Sequence, residues 1–166
     1  MDHGGQSLKL VLDASMALAW IFERLDAEEA ALANHLLDVF LEHEAWVPRL
    51  WYAEVANALL VAERRGVITQ VTTHNFSESL SRLPFKVDNG SGLRYQAPVL
   101  QLAREHQLSA YDATYLELTL HLEARLATFD RKLALATRQA GGIIRSSGAL
   151  ELEDSNDNST NGEGHA

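Results

Sequence analysis

Short apolar runs separated by helix-length amphipathic segments are the feature that most restricts how this 166-residue chain folds. Antiparallel strands need only a tight turn between them, whereas parallel strands need a crossover of a dozen or more residues, usually helical. The strand-type runs are Leu8–Leu12 (LKLVL), Ala45–Val47, Phe85–Val87, Arg125–Phe129 (RLATF) and a last one opening at Ile143-Ile144. Between them lie helical patterns: Met16–Phe22 with Ser15 as its expected N-cap, Asp26–His43, a helix opened by Pro48 and stopped near Arg65-Gly66, Thr69–Leu83, Leu93–His106, Ser109–Leu122 and Arg131–Ala140. Strands alternating with helices predict a three-layer α/β/α sandwich with a central parallel sheet of about five short strands.

Residues 8–150 are expected to form this one domain. Residues 1–7 read as a flexible N-terminus, and 151–166 (ELEDSNDNSTNGEGHA) as a disordered acidic tail with little to bury. The tail matters for the charge. The chain carries 23 Asp and Glu against 14 Lys and Arg, a net charge of -9 that argues against a nucleic-acid partner. Five of those acids and none of the bases lie in the tail, so the domain is far closer to balance. The longest apolar stretch, Ala14–Phe22, is too short to span a bilayer, and the N-terminus lacks a secretion-signal pattern. A cytoplasmic location is expected.

In open parallel sheets, ligand sites form outside the carboxyl ends of the strands. Asp13 follows LKLVL and Asp130 follows RLATF. Glu54, with Asn57 three residues on, and Asp112 lie early in helices that begin at the same edge. Taken singly, each acid has a structural explanation: a cap after a strand, a capping box at Ser109–Asp112, or a favourable charge near a helix N-terminus. Taken together they conflict, because two carboxylates about 4 Å apart repel by roughly 4 kcal/mol at an effective dielectric near 20. Either the four do not converge, or a cation neutralises them. An all-oxygen set suits Mg²⁺ or Mn²⁺.

Other chemistries lack their residues. With no cysteine there is no disulfide, thiolate metal site or thiol nucleophile, and the seven histidines show no ligand spacing. Serine-hydrolase, P-loop and dinucleotide-binding motifs are absent from the sequence. Trp20, Trp46 and Trp51 read as core rather than as a base-stacking platform.

Four segments, VLDASMALAW (11–20), AEVANALLVAERRG (53–66), LSAYDATYLELTL (108–120) and ATFDRKLA (127–134), resemble in order and spacing the motif blocks of PIN domains, particularly the VapC-type ribonuclease toxins of toxin–antitoxin modules. The resemblance spans about residues 8–146. It implies that Asp13, Glu54, Asp112 and Asp130 are the catalytic acids, and that Ser15 and Thr128 support the site. It further implies an Mg²⁺- or Mn²⁺-dependent endoribonuclease, the toxin of a type II module, that forms a homodimer and is silenced by a small antitoxin protein. The acidic tail departs from the compact family pattern.

On this reading Asp13, Asp112 and Asp130 hold one or two metal ions and Glu54 binds a second ion or orients the attacking water. Asn57 is a supporting candidate, and Arg131 and Lys132 are candidates for holding the RNA backbone. The competing readings are a metal-dependent phosphatase or phosphotransfer domain, for which the DxD expected on the first strand is replaced by Asp13-Ala14-Ser15, and a non-catalytic interaction module.

Overall fold

The computed structural model describes residues 8–22, 27–39, 43–90 and 93–145, and the expectations for residues 1–7 and 151–166 lie outside these. Among the described residues are five strands and seven helices, in the order β1 (Lys9–Leu12), α1 (Ala14–Leu18), α2 (Ala27–Val39), β2 (Glu44–Pro48), α3 (Leu50–Arg64), α4 (Gln70–Ser81), β3 (Lys86–Asp88), α5 (Leu93–Glu105), α6 (Ala110–His121), β4 (Arg125–Ala127), α7 (Arg131–Gln139) and β5 (Ile143–Arg145). All strand pairings are parallel, in the order β3-β2-β1-β4-β5. The predicted α/β/α sandwich is the observed one.

Strand β1 lies at the centre, paired to β2 through Val11↔Trp46 and to β4 through Val11↔Leu126. Leu10, Val11 and Leu12 are fully buried, which explains why this strand is apolar at consecutive positions rather than alternating. Fully burying each such side chain contributes about 1.5–3 kcal/mol. Right-handed crossovers place α1 to α4 on one face of the sheet and α5 to α7 on the other. The contacts agree: α3 packs on α1 and α4, while α6 packs on α5 and α7. The chain runs outward from β1 through β2 and β3, then returns to β4 on the other side of β1. That reversal opens a crevice at the carboxyl ends of β1 and β4.

Three boundaries differ from expectation, each for a local reason. Pro48 ends β2 instead of opening α3, and Arg49 takes the N-cap position. It lies past the last β1 partner of β2, at Trp46, so its missing N–H costs no bond on that side. Ser15 is not the cap of α1; Asp13 occupies that position, and Ser15 sits inside the first turn. Strand β4 stops at Ala127, because the N–H groups of Phe129 and Asp130 donate to the Ser15 and Thr128 hydroxyls rather than to a neighbouring strand. The stop at the end of α3 is as expected: Gly66 has a φ of 71°, where a side chain would be strained. Among the described residues no helix is long and apolar enough to cross a membrane.

Candidate active site

Asp13 is the most deeply placed of the four acids, only 8% exposed. Its main-chain N–H donates to the Ala127 carbonyl at 3.0 Å, carrying the β1–β4 pairing one residue beyond the strands and fixing the side chain over the crevice. Two hydroxyls donate to its Oδ2, Ser15 Oγ at 2.6 Å and Thr128 Oγ1 at 2.7 Å. Burial pushes the Asp13 carboxyl above its ordinary value; the two hydroxyls and the Ala14 N–H pull it down, and the charge of Asp130 adds to the rise.

Asp130, exposed at the mouth, caps α7: its Oδ1 accepts the Leu133 N–H at 2.8 Å. Its own N–H donates to Thr128 Oγ1 at 2.9 Å, so one buried hydroxyl ties the two acids together. Asp112 is held in the capping box read from the sequence. Its N–H donates to Ser109 Oγ at 3.0 Å, and that hydroxyl donates to Asp112 Oδ2 at 2.7 Å.

Glu54 lies in the second turn of α3, among its first turns as expected, and is half-buried. It accepts a hydrogen bond from the hydroxyl of Tyr115, a fully buried residue of α6. Helices on opposite faces of the sheet thus meet at the crevice. Burial raises the Glu54 carboxyl above its ordinary value, the Tyr115 hydroxyl opposes this, and the charges of Asp13 and Asp112 reinforce it. Burial and the bond to Glu54 likewise push the Tyr115 phenol far up, so it stays protonated and donating.

Tyr115 is the site residue that sequence reasoning missed. Its signal was the spacing: it stands three residues after Asp112, on the same face of α6. Tyr115→Phe removes the donor that holds Glu54 ionised. The Glu54 pKa should then rise further, moving the acidic limb of any activity–pH profile that depends on its carboxylate to higher pH. An unmoved limb in a folded variant would separate Tyr115 from Glu54 function.

The four acids are therefore coupled in a chain, Asp130 to Asp13, Asp13 to Glu54, and Glu54 to Asp112. Among the described residues no three Asp, Glu or His side chains are gathered into a set that could hold a metal ion as they stand. Each carboxylate is turned onto protein donors: hydroxyls for Asp13, Tyr115 for Glu54, Ser109 for Asp112 and the start of α7 for Asp130. Asn57 is exposed on α3, and among the described residues no hydrogen bond ties it to the acids. Arg131 is exposed at the start of α7. Lys132 donates to the Gln107 carbonyl, an anchor between α7 and the end of α5.

Comparison with known proteins places this fold in one class. The PIN domain family matches residues 10–138, and the chain belongs to that family. Ribonuclease VapC3 of Pyrobaculum aerophilum is 31% identical over 134 residues, covering 76% of this chain and 93% of that protein. Two crystal structures share the fold. PAE2754 from Pyrobaculum aerophilum superposes with a TM-score of 0.64 at 23% identity, over 90% of this chain and 98% of that one. FitAcB from Neisseria gonorrhoeae superposes with a TM-score of 0.59 at 13% identity, over 84% and 98% respectively.

Proposed function

We propose that this chain is a divalent-metal-dependent endoribonuclease, the toxin of a type II toxin–antitoxin module, acting in the cytoplasm as a homodimer and restrained by an antitoxin protein. What supports the reading is geometric: at the switch point of a PIN-domain sheet the Thr128 hydroxyl bonds both the Asp13 carboxylate and the Asp130 N–H, and Glu54 accepts from Tyr115 of the helix that carries Asp112. The likeness to a protein named as a ribonuclease supports RNA as substrate.

The donor chemistry fits a hard divalent cation: the four groups are carboxylates, and burial holds Asp13 and Glu54 above their ordinary values, reinforced at Asp13 by the charge of Asp130 and at Glu54 by those of Asp13 and Asp112. Asp13, Asp112 and Asp130 would hold Mg²⁺ or Mn²⁺, with Glu54 beside them. When bound, the ion supplies positive charge to the scissile phosphate and lowers the pKa of an attacking water. The protein does the placing. Ser15 and Thr128 fix the Asp13 carboxylate, Ser109 fixes Asp112, and Tyr115 keeps Glu54 aimed where it can orient the water or accept its proton. Arg131, exposed beside Asp130, would meet the RNA backbone.

The test is cleavage of RNA by the full chain with Mg²⁺ or Mn²⁺, and growth arrest on expression. Asp112→Asn should lower cleavage by about 100- to 1,000-fold, the scale for removing one stabilising group at a reacting centre, and should abolish the arrest. Undiminished cleavage in that variant, or in excess EDTA, would overturn the mechanism.

A further inference from the structure

A second concavity opens next to the acidic crevice, and the mechanism above does not use it. It lies at the carboxyl ends of β2 and β3, between the starts of α3 and α6 and the side of α5, with a volume of about 450 Å³. That is within the range of small-ligand sites, about 300–1,000 Å³. Its walls are mainly apolar, from Tyr95, Val99 and Leu100 of α5 and Leu50 of α3. Polar groups include Arg49 at the start of α3, Asp88 at the end of β3 with Asn89 after it, Gln96 of α5 and Thr114 of α6.

The wall on the loop side is built tightly. A side chain at Gly90 would bring its Cβ to 2.7 Å from the Tyr95 ring and 2.9 Å from Asp88 Oδ2, so only glycine lets the loop lie against that ring. The Gly90 N–H donates to Asp88 Oδ2 at 3.2 Å, and Tyr95 is hydrogen-bonded to Thr114 of α6. Tyr111 borders the cavity from α6 and is 65% exposed, leaving much of its ring open to a stacking partner. It immediately precedes Asp112, and Leu50 lies one helical turn before Glu54. The cavity and the acids therefore share two helices at adjacent positions.

We infer that this cavity is a nucleobase subsite, which receives an unstacked base of the single-stranded RNA next to the phosphate cut at the cation site proposed for Asp13, Glu54, Asp112 and Asp130; this rests on the nuclease function proposed above. Single-stranded RNA is recognised by splaying bases onto aromatic side chains and hydrogen-bonding their edges. Tyr111 supplies the stacking face, and Val99 and Leu100 the apolar wall. Asp88 and Asn89 supply the acceptor and amide that read a base edge. Arg49 supplies a cation at the rim, complementary to the flanking phosphate. The subsite determines which base flanks the cut, and so the cleavage sequence.

The experiment uses the full chain in two forms. In an Asp13→Asn background, affinity for oligo(A), oligo(C), oligo(G) and oligo(U) is measured by fluorescence anisotropy. Tyr111→Ala should weaken the preferred homopolymer on the order of tenfold, the scale of lost base–aromatic stacking. Tyr111→Trp should retain it, and Asn89→Ala should change the order of preference. In the active chain, Tyr111→Ala should raise KM and flatten the cleavage-sequence preference. Because Tyr111 is exposed, the fold should survive its truncation. If the wild type cleaves RNA but Tyr111→Ala changes neither homopolymer affinity nor cleavage sequence, the subsite is overturned while the nuclease function stands. If homopolymer affinity falls in Tyr111→Ala yet the wild type never cleaves RNA, the subsite is supported and the nuclease function fails. Weakened binding of a partner protein with RNA affinity unchanged would assign the cavity to that partner and overturn the inference.

Discussion

Asp13→Asn should make the metal-free protein more stable at neutral pH while lowering RNA cleavage by about 100- to 1,000-fold. The two effects have one cause. The Asp13 carboxyl is buried beneath the crevice, and burial together with the Asp130 charge raises its pKa in the folded state. For an acid whose folded pKa lies above its unfolded one, the stabilising contribution is full below the unfolded value, here 3.8, and is lost as pH rises through the folded value. Ionised Asp13 is therefore a destabilising group in the absence of a cation. Asparagine keeps an oxygen to accept from Ser15 and Thr128 and removes the charge. Thermal melting in EDTA between about pH 4 and 8 reads this out: wild-type stability should decline with rising pH more steeply than that of the variant. A variant less stable than wild type across the range, with an unchanged slope, would mean that the carboxylate is structurally stabilising and not strained toward a cation.

Thr128→Val should destabilise the fold by about 1.5–3 kcal/mol at neutral pH, the scale of a hydrogen bond to a charged group. The substitution keeps shape at a residue only 5% exposed but deletes both of its bonds, donation to Asp13 Oδ2 and acceptance from the Asp130 N–H. Asp13 then loses one of the donors that pull its pKa down, and Asp130 loses the tie that fixes its distance from Asp13. Cleavage should fall as well. Coupling distinguishes this from a simple core defect. In the Asp13→Asn background the same substitution should cost clearly less, since the acceptor is no longer charged. Equal costs in both backgrounds, measured by denaturant unfolding, would show that Thr128 does not act through Asp13.

Much of this site is legible in the sequence because strand ends mark themselves. LKLVL is apolar at nearly every position, as a strand covered on both faces must be, and it ends on an acid. RLATF is followed by another, and Ser109–Asp112 carries the local pattern of a capping box, of which the structure keeps the Ser109 cap while Asp112 Oδ2 accepts from the Ser109 hydroxyl. What the sequence conceals is tertiary. The helix start at Met16 suggests a serine cap, yet the Ser15 hydroxyl bridges Asp13 and the Phe129 N–H, a residue 114 positions away. Phe129 has strand propensity, but that bridge and its neighbour at Thr128 take the main chain out of the sheet. Tyr115 is buried with the core, yet its hydroxyl reaches Glu54, 61 residues earlier on a helix of the opposite face. Propensity and periodicity describe which face of an element is buried; they do not say which atoms meet where two faces converge.

If Asp13, Glu54, Asp112 and Asp130 form one site for a divalent cation at which RNA is cut, calorimetric titration of Mn²⁺ into the full chain, without RNA, will detect that site. Saturable binding is expected in the wild type and should be lost in both Asp13→Asn and Asp112→Asn, although these residues lie on different elements of the fold. No Mn²⁺ binding by the wild type, or undiminished binding in both variants, would contradict the account.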